Sequence, residues 1–176
     1  MEQGLLAIIL HAHLPYVRHP EYPEFLEEDW LFEAISETYL PLLQVFEGCL
    51  QDGVRARVTL GLTPPLCEML ADPLLQDRYV RHLNKLIELC EKEVVRTQDS
   101  QAMNATAHMY LNHFTVARQM FEDRYQRNIL NGFRALRHRD EKRIVAAVFR
   151  DLLDRFHEVD DFRRFPSLLL LNGLNG

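Results

Sequence analysis

The run His11-Ala12-His13-Leu14-Pro15-Tyr16-Val17-Arg18-His19-Pro20 holds more chemically capable side chains than any other stretch of the chain. On an extended backbone, alternation sets His11 and His13 on one face. Neutral imidazoles placed that way have three uses. They hydrogen-bond their own loop and do no chemistry; they serve as first-strand ligands of a metal-dependent hydrolase; or they exchange hydrogen bonds with sugar hydroxyls while Tyr16 or Trp30 offers an apolar face to a pyranose ring. The metal reading needs further His and Asp ligands after later strands, and no matching later segment follows in this sequence. The acidic residues Glu33, Glu37 and Glu27-Glu28-Asp29 fall at a helix start or on a helix face, where they read as structural charges.

The elements that must position these residues follow from periodicity. Leu5 to Leu10 is a continuous apolar run, which predicts a strand buried on both faces and hence a parallel sheet or barrel. His11 to Glu28, broken by Pro15, Pro20 and Pro23, predicts a long loop at the carboxyl end of that strand, where barrels and open parallel sheets place their sites. Leu31, Ile35, Thr38, Leu42, Val45 and Cys49 repeat at helical spacing until Asp52-Gly53, with Pro41 expected to kink or split the helix. Val54 to Leu62 reads as a second strand, stopped by Thr63-Pro64-Pro65, so that strand, helix and strand form a right-handed crossover. Two further helical stripes follow, Leu75-Tyr79-Leu83-Leu86-Cys90-Val94 and Tyr110-Phe114-Ala117-Phe121-Tyr125, joined by a polar connector from Arg96 to Asn104. Ile129, Phe133 and Leu136 predict a short helix, Ile144 to Phe156 another, and Pro166 to Gly173 a third strand or apolar tail. Two or three buried strands do not complete a sheet or a barrel. The expectation is therefore a fragment, or a core completed by another chain.

Composition narrows the function classes. With 176 residues, 47% hydrophobic and 26% charged, the chain suits one globular unit and not a disordered one. A formal charge of -6 disfavours nucleic acid and anionic membranes as partners. The longest N-terminal apolar run is too short to span a bilayer and lacks the frame of a signal peptide, which points to the cytoplasm. Cys49, Cys67 and Cys90 lie within helical patterns and read as buried thiols of a reducing compartment. No cofactor and no metal are expected.

The wording of the chain adds a resemblance. The His11 to Pro20 segment, then Phe25 to Leu43, Asp52-Gly53, Val58 to Pro64, Asp72 to Leu75, Arg78-Tyr79, His82-Leu83, Leu86 to Leu89 and Glu91 to Glu93 together resemble the N-terminal portion of the branching enzymes of glycoside hydrolase family 57. The likeness fades near Phe133 to Leu136, about three quarters of the way along. It implies an α/β fold: the N-terminal part of an incomplete, seven-stranded beta/alpha barrel, helix-rich, with residues 1–137 as barrel portion plus helical insertion and 138–176 as a divergent segment. It also implies action on an α-1,4-glucan such as amylose or glycogen by a retaining mechanism, with two carboxylates about 5 Å apart across the scissile bond. Residue by residue, the resemblance carries over only the first conserved segment: His11 and His13 as sugar-binding groups, joined by Arg18 and Trp30. No catalytic carboxylate carries over, because the family places both on later strands. The resulting expectation is a truncated, inactive portion of a branching enzyme. The alternative is a non-catalytic helical protein whose open edge is covered by a partner or a second copy.

Overall fold

The computed structural model describes residues 8–54 and 58–139. Two strands, β1 (Ile8–Ala12) and β2 (Val58–Leu62), pair in parallel with Ile8 opposite Val58, His11 opposite Gly61 and Ala12 opposite Leu62. Parallel pairing needs a crossover, and the predicted strand–helix–strand unit supplies it. β1 runs further than expected, through His11 to Ala12; β2 is described from Val58, and residues 55–57 of the predicted strand lie outside the described residues. The expectation that β1 is buried on both faces is corrected. Leu10 and Ala12 turn toward the core, whereas Ile9, on the opposite face, is 59% exposed, and Ile8, at the strand start, is 45% exposed. The reason is architectural: the described residues supply a partner along one edge and helices over one face, and nothing over the other.

The crossover is α1 (Glu28–Ala34), a π-helical turn (Ile35–Tyr39) and α2 (Leu40–Gln51). Pro41 stands in the first turn of α2 and splits the helix as expected. It has no N–H to bond the carbonyl four residues back, and the widened turn absorbs the mismatch. The C-terminal stop is also where Asp52-Gly53 placed it. Gly53 takes φ +69°, a left-handed conformation that favours glycine, and the Val54 amide folds back to the Cys49 carbonyl at 2.8 Å.

The helical pattern around Cys67 is a helix, and its start differs from expectation. Pro64 and Pro65, read as a strand stop, also open α3 (Pro64–Ala71), since proline in a first helical turn loses no intrahelical bond. Then α4 (Pro73–Arg96) and α5 (Gln101–Gln119) form a long hairpin. Its connector is shorter than the predicted Arg96 to Asn104: only Thr97 to Ser100 lies outside the helices, and Asn104 already belongs to α5, its side-chain amide bonded to the Val94 carbonyl at 2.7 Å. A second π-helical turn (Met120–Arg124) leads to α6 (Leu130–Arg139), the helix expected around Phe133.

The core is one cluster from Ala12 to Leu136, centred on Leu31, Leu40, Leu43, Leu66, Tyr79, Leu83, Phe121 and Ile129. The α4 stripe packs inward nearly as predicted, except that Ile87 is buried and Leu86 and Val94 only partly. The second stripe is buried only at its end: Phe121 meets Tyr79 edge-on with centroids 4.7 Å apart, while Tyr110 is 43% exposed. Cys67 and Cys90 are buried and Cys49 half-buried, all as free thiols. Among the described residues, no helix is long and apolar enough to cross a membrane. The expected helix at Ile144 to Phe156 and the strand or tail at Pro166 to Gly173 lie outside the described residues.

Candidate functional site

The carboxyl end of β1 presents both histidines of the opening motif. His11 is the fourth residue of the strand and His13 the first after it, and both side chains are exposed. Strand alternation therefore does what the spacing predicts. Opposite His11 stands Gly61, where a Cβ would come to 3.7 Å from His11 Nδ1, so the imidazole lies across bare backbone. Beyond the strands the Thr63 amide donates to the Ala12 carbonyl at 3.2 Å, prolonging the pairing up to His13. The Thr63 hydroxyl there is buried without a hydrogen-bond partner.

The loop after His13 is pinned from below by α3 and α4. Val17 is buried and its amide points at Met69 Sδ, 3.3 Å away. Arg18 Nε donates to Asp72 Oδ2 at 2.5 Å, and the other oxygen of Asp72 accepts from the Leu74 and Leu75 amides as the N-cap of α4. Arg18 thus joins the loop to a helix start, with about a third of its side chain still open to solvent. Further on, Arg78 of α4 reaches the carbonyls of His19 and Tyr22 and the carboxylate of Glu28, the first residue of α1. Arg78 is 5% and Glu28 1% exposed, so this is a buried ion pair; the two terminal guanidinium nitrogens also reach loop carbonyls, while the buried Nε has no partner among the described residues. His19 completes the latch: its ring lies on Phe25 with centroids 3.8 Å apart, and each ring nitrogen is 3.3 Å from a carboxylate, Glu21 or Glu27.

The two aromatic candidates are each 49% exposed. Tyr16 lies on the loop itself, its hydroxyl donating to Glu68 at 3.4 Å, with burial first and then Glu68 raising its pKa. Trp30 stands in the first turn of α1. Sequence reasoning placed His11, His13, Arg18 and Trp30 in one binding set. The structure carries His11, His13 and Arg18 on the end of one strand and the loop that leaves it, and Trp30 on the helix that the same loop enters.

What sequence reasoning missed is the Arg78–Glu28 latch. Glu28 was one charge in an acidic helix start, yet it is buried. A signal existed: Arg78 interrupts the apolar stripe of α4 between Leu75 and Tyr79, and a cation inside an apolar stripe calls for a buried partner. Several carboxylates around this site are engaged structurally: Glu28 by Arg78, Asp72 by Arg18 and helix amides, Glu68 by Tyr16. For the metal reading, His11 and His13 find no company: among the described residues no group of three or more His, Cys, Asp or Glu side chains is placed to hold an ion.

Comparison with known proteins gives a consistent picture. The sequence pattern of Glycosyl hydrolase family 57 matches residues 7–151. A 1,4-alpha-glucan branching enzyme of Thermococcus kodakarensis is 38% identical over 93 residues, which is 52% of this chain and 14% of that protein. A probable 1,4-alpha-glucan branching enzyme of Mycobacterium tuberculosis is 38% identical over 71 residues, 40% of this chain and 13% of its own length. Among solved structures, the alpha-amylase AmyC of Thermotoga maritima superposes with a TM-score of 0.72 at 45% identity, covering 83% of this chain and 27% of that one. The GH57-type branching enzyme of Pyrococcus horikoshii gives 0.71 at 31% identity, covering 81% and 26%. The chain thus spans about a seventh of the length of the curated relatives and about a quarter of the solved ones.

Proposed function

The chain belongs to glycosyl hydrolase family 57, and from that premise we propose that it binds α-1,4-glucan at the carboxyl end of β1 without catalysing glycosyl transfer by itself. The observation that carries this reading is the pair of exposed imidazoles, His11 and His13, on one side of a strand end beside the bare backbone of Gly61. Histidine nitrogens donate to and accept from hydroxyls, and a glycine leaves room for a sugar ring to approach. Arg18 and Trp30 extend the contact surface on either side of the latched loop. The two strands are the first of an incomplete seven-stranded barrel, and the retaining chemistry of such an enzyme needs a nucleophile and an acid/base carboxylate that later strands would supply. Positioning groups without those carboxylates leave most of the barrier in place.

Two measurements test the reading. Titration with maltoheptaose should give saturable binding that His11→Ala and His13→Ala each weaken, with unfolding midpoints close to those of the parent chain. A large stability loss in either variant would make these histidines structural instead. An iodine-stain and reducing-end assay on amylose should show no turnover with this chain; turnover would mean that a catalytic pair is assembled here or between copies.

A second reading, favoured by the exposed Ile9, is a non-catalytic protein whose open sheet face is covered by a second copy. Sedimentation at micromolar concentration separates the two, since a monomer with saturable glucan binding contradicts it.

A further inference from the structure

Away from the strand end, an open groove of about 280 Å³ lies between the loop and first turns of α1 on one side and α4 on the other. Its volume is near the lower end of the roughly 300–1,000 Å³ typical of small-molecule sites, enough for one ring rather than a nucleotide cofactor. Phe25, Leu26 and Phe32 make the apolar part of the wall. The polar part is set by charge. Arg78, Arg81, His82 and Lys85 recur at three- and four-residue steps on one face of α4, opposite Glu24, Glu28 and Asp29. Arg78 is neutralised by Glu28 and Lys85 by Glu24, while His82 Nδ1 is 3.4 Å from Asp29 Oδ1. Burial against Phe32 holds the His82 imidazole below its ordinary pKa, so near neutral pH it is an uncharged donor and acceptor.

The lining therefore carries three fixed cations and three carboxylates, and no net charge to select an anion. What it keeps is the guanidinium of Arg81, an acceptor in Asp29 and a neutral imidazole, beside an aromatic wall. Adjacent hydroxyls of a sugar accept from Arg81 and donate to Asp29, while the carbon face of the ring meets the apolar wall at Leu26 and the edge of Phe25. We propose that this groove between α1 and α4 is a second carbohydrate-binding site, taking one neutral pyranose unit through Arg81, Asp29 and His82, separate from the strand-end histidines. It rests on the glucan reading for the sugar's identity.

Backbone amide shifts of the isotope-labelled chain, titrated in turn with maltose and with inorganic phosphate, test it. Maltose should move the amides of residues 24–32 and 78–85, and phosphate should not. Arg81→Ala and Asp29→Asn should each weaken that response about tenfold, the loss of one hydrogen bond to a charged group. His11→Ala and His13→Ala should leave it unchanged. Maltose shifts confined to the strand end would overturn the second site and leave the glucan reading standing. A groove response to phosphate as strong as to maltose, or one insensitive to Arg81→Ala, would overturn the proposal too. Absence of any maltose response would sink both readings.

Discussion

Arg78 and Glu28 concentrate more of the loop's order than any other pair of side chains. Because both are buried, deleting either leaves an uncompensated charge in the core, and Arg78→Ala or Glu28→Ala is expected to cost about 3–5 kcal/mol in urea unfolding. The paired replacement Arg78→Met with Glu28→Leu should recover a large part of that loss, because it removes both charges and keeps the volume. His82 gives a pH-dependent counterpart. Its folded-state pKa is lowered, by burial first, with Asp29 and Glu33 pulling the other way. The unfolded chain binds this proton near pH 6.5 or so and the folded chain only at lower pH. Stability therefore falls as pH drops below that value and levels off once the folded imidazole is also charged. Comparing urea midpoints at neutral and mildly acidic pH, His82→Gln should show a shallower drop than the parent chain. Cys67 belongs to the same scale: burial pushes its thiol up to about 11, which keeps it protonated at neutral pH.

Helices pack here through a few contacts that local propensity does not report. Gly132 lies inside α6, where glycine ordinarily costs about 1 kcal/mol relative to alanine. Yet a Cβ at that position would stand 2.7 Å from Tyr125 Cε1 and 2.9 Å from Leu43 Cδ1. Neither neighbour retreats easily, since Leu43 is fully buried and the Tyr125 hydroxyl is anchored on Glu47 at 3.0 Å. Gly132→Ala should thus destabilise by about 1–3 kcal/mol despite the better helix propensity, as read from a thermal melt. The same distinction explains what was legible beforehand. Strand, split helix, strand and helical hairpin could be read because each is written locally, in the run up to Leu10, in Pro41, in Gly53 and in the stripe from Leu75. The start of α3 could not, because Pro64-Pro65 serves equally to end a strand and to begin a helix. The latch was hidden because the partner of Arg78 is chosen by the fold and not by its neighbours in sequence. At the site, the shared face of His11 and His13 was readable from alternation alone, whereas the engagement of Arg18 by Asp72 depends on where α4 starts.

At the scale of the whole molecule, the single core and two-stranded sheet of the described residues predict one cooperative transition with an exposed apolar strand left over. Ile9 is the most exposed large residue of that strand at 59%. A lysine at such a position opposes strand-to-strand association, so Ile9→Lys should suppress the growth of light scattering on concentration while leaving the helical circular dichroism unchanged. The latch also has a consequence in time. Glu28 and the His19 carbonyl meet Arg78 across 50 and 59 residues of chain. A ribosome adding roughly 5–20 residues per second leaves the strand-end loop without its anchor for several seconds after His11 and His13 have emerged. During synthesis, then, the strand-end loop is made well before its anchor, and it stays open to chaperones and proteases until the second turn of α4 appears.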